Sequence, residues 1–488
     1  MKKWVLGIGV AVVALGAVVA VRTATFAPQS VADGSAIKVA PLAPFDTNQA
    51  AQHLAEAVRF QTISNQDASQ NQRGEWDKLH TWLAATYPKA HAAMQREMLD
   101  QTLVYTWPGS DPAAQPIIVM AHQDVVPVTP GTEKDWKYQP FAGTIAQGAV
   151  WGRGTIDDKG SLVALFEAME ALAAQGFKPK RTIYLVSGHD EEVGGTGAAA
   201  AAKLLAARKV KALFTIDEGG IITTDTPIIK QPAMMIGVAE KGYMTLRVRA
   251  DAPGGHSSMP PQEIGTVNLA KAVVAIHQDQ FPMELRGPAA AMIDVFAAKA
   301  GGMTKVAAAN KWLFSGVIKG QMAESPASAA LLHTTIAPTM LQGSPKENVL
   351  PQSAEALINY RIAPWDNSAK VLERARAAVA GLPVTVDFNE RAPREPTPVS
   401  SSTSLGWQLI VASAHAGHPG IAASPYLVVA GTDSRSMTPV SDDVYRFAAI
   451  SLATAETKMI HGTNEHITLK NLASAIAFYA RLLATAAG

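Results

Sequence analysis

Short apolar runs that end in acidic residues or histidine punctuate the first half of the chain. Residues 182–186 (TIYLV) read as a buried strand and lead into Ser187-Gly-His-Asp-Glu191-Glu192. Residues 117–121 (IIVMA) end in His122-Gln123-Asp124, and residues 212–216 (ALFTI) end in Asp217-Glu218. Between them Asp157-Asp158-Lys159-Gly160 precedes a helical pattern over 161–174, closed by Gly176. Strand and helix alternate from about 40 to 240, which predicts an α/β fold with a mainly parallel sheet and helices on both faces. Open sheets of this kind place ligand sites at the C-terminal ends of their strands.

The periodicity changes near Lys241-Gly242. Residues 243–249 and 354–361 alternate apolar and polar positions, the mark of an antiparallel sheet with one covered face. Helical patterns lie between them at 263–277 and, rich in Ala and Met, at 289–312. A helix at 371–379 and a strand at 384–388 follow, then a Pro/Ser-rich linker at 391–403. A helix at 405–416, a strand at 426–430 and a closing helix at 469–486 complete the chain. The expected organisation is an N-terminal segment and linker (1–39), a catalytic domain in two parts (40–240 and 396–488), and an inserted α+β lid or dimerisation domain with an antiparallel sheet (241–395).

With 488 residues, 48% of them hydrophobic, the chain is long enough for more than one domain. A formal net charge of +1 and the lack of a basic stripe give no footing for nucleic acid. There is no cysteine, so thiolate ligands, disulfides and a cysteine nucleophile are excluded. Lys2-Lys3 precede an uncharged run of 18 residues, 4–21, and Arg22 follows. That run reads as a secretory signal or a single membrane anchor, and the flanking lysines hold the N-terminus in the cytoplasm. The expected location is extracytoplasmic, periplasmic or secreted, with 4–21 anchoring the chain to the inner membrane.

Adjacent Glu191 and Glu192 repel each other unless a cation lies nearby. Repeated clusters of carboxylate and imidazole, including His461-Gly-Thr-Asn-Glu465-His466, suit zinc or a similar divalent ion. Other chemistries fit less well. Gly195-x-Gly197-x-x-Ala200 resembles a dinucleotide fingerprint, but two glutamates intervene between strand and glycines. These glycines are read instead as the entry to an Ala-rich helix with Thr196 as its N-cap. The block Gly255-His-Ser-Ser-Met259 lacks the last glycine of a nucleophile elbow, and no His-Glu-x-x-His is present.

The blocks at 122–124 (HQD), 152–160 (GRGTIDDKG), 188–195 (GHDEEVGG), 254–261 (GGHSSMPP), 431–435 (GTDSR) and 461–465 (HGTNE), in that order, resemble peptidase family M20. This is the group of two-zinc metallopeptidases that includes aminoacylase and carboxypeptidase S, and the chain looks most like the carboxypeptidase S branch. The resemblance implies two Zn2+ per subunit, with Co2+ or Mn2+ as substitutes. Asp157 would bridge them, His122 and Asp217 would complete one site, and Glu192 and His461 the other. Glu191 would be the general base and Asp124 would orient His122. His256, from the insert, would help stabilise the oxyanion, in relatives often from the partner subunit of a dimer. Asn348, Arg361 and Arg435 resemble substrate-binding positions, and the bond after Asp157 would be cis. The implied reaction is hydrolysis of the amide bond before a C-terminal amino acid in a short peptide or N-acyl amino acid. An aminoacylase or amidohydrolase without peptidase activity, and a non-catalytic binding protein on the same scaffold, are the competing readings.

Overall fold

The structure is a computed structural model. It describes residues 2–488 except 29–30, 227–228 and 391, with side chains from residue 10 onward. A ten-stranded sheet forms the core of the larger body. At its centre Ile183–Ser187, Ile117–Met120, Phe214–Asp217 and Val444–Arg446 lie side by side and parallel. The strands Gln95–Leu99 and Thr102–Trp107 extend one flank antiparallel, and Ala233–Glu240 pairs antiparallel on the other. Strands Ala422–Val428 and Ser451–Leu452 also join this sheet, so segments before and after residues 241–395 build one structure.

The helix Lys159–Ala174 is buried along most of its length, which is why its sequence carries no narrow apolar stripe. It packs against Leu469–Ala487 and Thr47–Val58, with Leu162, Phe166, Leu54 and Leu483 in one continuous core. Asp46 caps the latter helix by accepting from the amides of Asn48 and Gln49.

A separate four-stranded antiparallel sheet takes Thr335–Gln342, Ser353–Ile362, Gly242–Asp251 and Thr385–Phe388, in that order. The period-two pattern in its two long strands buries Leu246, Val248, Ala356 and Ile358 beneath the helices Gly265–Gln278 and Ser368–Ala378. The expected mixture of a mainly parallel α/β sheet and an antiparallel sheet is therefore what the chain forms.

Three local expectations are revised. The helical region at 289–312 divides into Gly287–Ala300, Gly302–Ala309 and Lys311–Ala323. The first break falls at Gly301 and Gly302, both at positive φ. Thr196 does not cap the Ala-rich helix; it is its first residue, and Asp190 accepts from the amides of Thr196 and Gly197 in its place. Nor is the stretch after Arg391, itself outside the described residues, a free linker. It runs beside strand residues 238–243, with Thr397 N donating to Glu240 O and Ser400 N to Val238 O.

Residues 4–21 fall within the helix Lys2–Ala24, and the side chains of 4–9 lie outside the described residues. Among the described residues, no helix is long and apolar enough to cross a membrane.

Candidate metal centre

Three neighbouring parallel strands deliver their C-terminal ends to one place. Ile117–Met120 carries His122, Ile183–Ser187 leads to Glu191 and Glu192, and Phe214–Asp217 ends in Asp217 itself. Two further residues arrive from a small three-stranded sheet. Ala149–Trp151 pairs with His466–Thr468, so the loop bearing Asp157 meets the loop bearing His461.

The Asp157 carboxylate lies between two imidazoles and offers a different oxygen to each. His122 Nε2 is 2.9 Å from Oδ1, and His461 Nε2 is 3.0 Å from Oδ2. His461 Nε2 is also 3.0 Å from Glu192 Oε1. Ligating atoms of His122, Asp157 and Glu192 all lie within 4.8 Å of one another. The His122 side chain is buried, whereas His461 is about half exposed (51%), so the cluster opens to solvent on the His461 side. The Asp157–Asp158 peptide bond is cis.

Electrostatics mark the cluster as short of positive charge. Burial raises the carboxyls of Glu191, Glu192, Asp217 and Glu218 above their ordinary range, and nearby carboxylates add to the rise. Asp433 is raised in the same way, and neither of its buried oxygens has a hydrogen-bond partner. Hydrogen bonds from His461 to the carboxylates of Asp157 and Glu192 push its imidazole up to about 10. His122 is also raised, because its carboxylate neighbours outweigh the effect of burial. Buried carboxylates that resist ionisation, around imidazoles that hold their protons, are what a divalent cation would relieve. The donors are oxygen and imidazole nitrogen only, the set that suits zinc, cobalt or manganese.

Asp124 organises this site through four partners. His122 Nδ1 donates to the Asp124 carbonyl (3.0 Å) and lies 3.4 Å from its carboxylate, which turns Nε2 toward the cluster, where a bound cation would take the place of its proton. The Asp124 carboxylate also accepts from the amides of Glu191 and Glu192, each at 3.1 Å, and from Ser64 Oγ at 2.6 Å. The same loop is closed by Asp433, which lies against Gly188 and Gly195. A Cβ at Gly188 would fall 1.9 Å from Asp433 Oδ2, and Gly195 is at φ +65°. Only glycine fits at both positions.

A buried ion pair, to which the motif alone gave no role, joins the two arms of the centre. Arg153 Nη1 donates to Glu465 Oε2 at 2.7 Å, and Arg153 Nη2 donates to the carbonyls of His461 and Gly462. Glu465 Oε1 accepts from the amides of Ile156 (2.9 Å) and Asp157 (3.3 Å). His461 sits at φ +60°, a strained conformation that these bonds hold in place. The available signal was that both residues lie inside the recurring blocks and carry opposite charges.

The other expected residues are spread over neighbouring ground. His256 is on the two-stranded ribbon that pairs Gly255–His256 with Val349–Leu350. There Ser257 N donates to Asn348 O, so His256 and Asn348 lie together, both exposed. The His256 ring is held locally, its Nδ1 accepting from Ser258 N; among the described residues its hydrogen bonds do not reach the carboxylate cluster. Arg361 stacks over Tyr243 at 4.8 Å and reaches the carbonyl of Val429, beyond the end of a strand of the large sheet. Arg435 donates to Glu395 O and faces Glu240 at 3.6 Å. Sequence reasoning overlooked Arg394, whose Nη2 donates to Gly194 O in the Glu191–Glu192 loop at 2.9 Å. Burial and the charges of Arg394, Arg446 and Arg361 depress the Arg435 guanidinium, against the opposing pull of Glu240.

Residues 118–485 match Peptidase family M20/M25/M40, and the chain belongs to that family. It is a hydrolase of a group whose members include carboxypeptidases and N-acyl-amino-acid hydrolases. It is 33% identical over 440 residues to a probable carboxypeptidase S-like protein of Dictyostelium discoideum, covering 89% of this chain and 84% of that one. Identity to the human N-fatty-acyl-amino acid synthase/hydrolase PM20D1 is 35% over 399 residues, covering 80% and 78%. Carboxypeptidase S of Saccharomyces cerevisiae is 31% identical, covering 89% and 84%. In fold, the chain resembles an M20 family metallo-carboxypeptidase of Sulfolobus solfataricus, with a TM-score of 0.65, 18% identity, and coverage of 90% and 99%.

Proposed function

We propose that the chain is a zinc-dependent hydrolase that cleaves the amide bond before a C-terminal amino acid in short peptides or N-acyl amino acids. The observation that carries this is the Asp157 carboxylate set between His122 and His461, with Glu192 at the same point. In this reading the residues that would hold two Zn2+ ions are Asp157, common to both sites, His122 and Asp217 for one, and Glu192 and His461 for the other. When bound, such ions acidify water and polarise the scissile carbonyl. Co2+ or Mn2+ would serve in their place.

Glu191 stands beside these ligands without an assigned metal role, and burial raises its carboxyl. A carboxylate tuned upward is a better proton acceptor near neutral pH. It takes the proton of the attacking water as oxygen adds to the carbonyl carbon. It then delivers that proton to the amine nitrogen as the C–N bond breaks, and is left ionised again. Asp124 fixes both the His122 tautomer and, through two amides, the loop that aims Glu191.

His256 donates to the developing oxyanion, supplied across a homodimer formed by residues 241–395, whose strand Thr335–Gln342 is an exposed sheet edge. Arg361 and Arg435, with Asn348, receive the substrate's terminal carboxylate; the fork of arginine suits two oxygens. Residues 1–39 would direct the enzyme outside the inner membrane.

A second reading, an acyl-amino-acid hydrolase without peptidase activity, is favoured by the 35% identity to the human protein whose name describes that substrate class. The test is hydrolysis of a mixed library of dipeptides and N-acyl amino acids, before and after chelation. Activity should disappear with chelator and return with Zn2+; activity that survives full metal removal refutes the proposal. Turnover of acyl amino acids alone selects the second reading.

A further inference from the structure

We propose that the helical hairpin Gly302–Ala309/Lys311–Ala323, together with the apolar N-terminal helix, forms a contact surface for an anionic lipid bilayer. One face of the hairpin belongs to the protein interior: Ala308, Ile318 and Met322 pack with Phe296 and Ala289. The opposite face is apolar and open. Trp312, Leu313, Val317 and Met303 are all exposed. Gly316 and Gly320 continue the Trp312 row at helical spacing, and a Cβ at either would meet nothing.

Two observations select a lipid surface as the occupant. Residues 299–323 contain Lys299, Lys305, Lys311 and Lys319 and no acidic residue. Lys311 is neutralised by Asp294 at 2.6 Å and Lys299 donates to Gly420 O, whereas Lys305 and Lys319 make no ion pair among the described residues. An exposed apolar face containing tryptophan, flanked by lysine, suits the headgroup region of an anionic membrane; on a second copy the same charges would repel. The hairpin is also fastened to the N-terminal helix. Asn310 Nδ2 donates to Val19 O and Thr23 Oγ1, and Arg22 Nε donates to Ala309 O. Along that helix Val10, Val13, Leu15, Val18 and Val21 are exposed, so two apolar surfaces meet at residues 19–23 and 310. The surface requires no membrane crossing and is independent of the hydrolytic reading.

The absence of cysteine makes the test direct. Val317→Cys in the full chain is labelled with a polarity-sensitive fluorophore and mixed with phosphatidylcholine vesicles, with or without phosphatidylglycerol. The probe should shift to the blue and be quenched by nitroxide-bearing lipid, more strongly with phosphatidylglycerol. The same probe at Met98→Cys, exposed on the strand Gln95–Leu99, should not respond. Adding Trp312→Asp and Leu313→Asp should abolish the shift at 317 and leave hydrolysis unchanged. A probe at 317 that remains in water when vesicles bind the chain overturns the proposal, as does failure of the chain to bind vesicles. A blue shift that needs protein concentration and no lipid also overturns it, in favour of a second copy.

Discussion

Glu191→Gln should lower kcat by about 10²–10⁴-fold while the protein stays folded and keeps its metal. The substitution preserves shape and removes only the proton-accepting oxygen. The amides of Glu191 and Glu192 still reach Asp124, so the loop that presents the side chain is undisturbed. KM should change little, because in the proposed mechanism Glu191 would act on the water and the leaving amine rather than on the terminal carboxylate. Steady-state kinetics on the preferred amide, with circular dichroism as a check on folding, read this out. A variant with near-wild-type kcat would remove the general base from the mechanism.

Glu465→Ala should be the most destabilising single change at the site, by about 3–5 kcal/mol, because it strands a buried guanidinium. Arg153 would lose its 2.7 Å partner, and the Ile156 and Asp157 amides would lose their acceptor. Both consequences fall on the metal centre. Asp157 is positioned through its own amide, and His461 is held at φ +60° by Arg153. Chemical denaturation should therefore show lost stability together with weakened metal retention. Replacing both partners, Arg153→Met with Glu465→Leu, should recover part of the stability but not the metal affinity, since the apolar pair cannot hold the His461 carbonyl or the Asp157 amide. Equal stability for Glu465→Ala and wild type would contradict this account.

Much of the catalytic scaffold was legible because buried parallel strands leave short apolar runs, and here each central run ends in a chemically distinctive residue. The strands ending near His122, Glu191 and Asp217 were readable to within a residue or two. The alternation at 243–249 and 354–361 correctly signalled a second, antiparallel sheet, since one covered face imposes period two. What escaped was the work of residues acting through others. That Asp124 accepts from both glutamate amides, and that Arg394 reaches the Gly194 carbonyl across 200 residues, are consequences of tertiary approach that no local spacing encodes. The capping of the 196–207 helix failed for the same reason. A threonine at the right place lost to Asp190, whose carboxylate already faced two free amides. The break at Gly301-Gly302, where both residues take positive φ, is masked in the sequence by the Ala/Met-rich pattern around it.

The central claim is that two neighbouring carboxylates divide the labour, Glu192 holding metal and Glu191 moving the proton. Metal content per chain, measured by mass spectrometry after dialysis on wild type, Glu191→Gln and Glu192→Gln, tests it most directly. The account predicts two ions in the wild type, two in Glu191→Gln and fewer in Glu192→Gln. Loss of metal from Glu191→Gln with full retention in Glu192→Gln would contradict it.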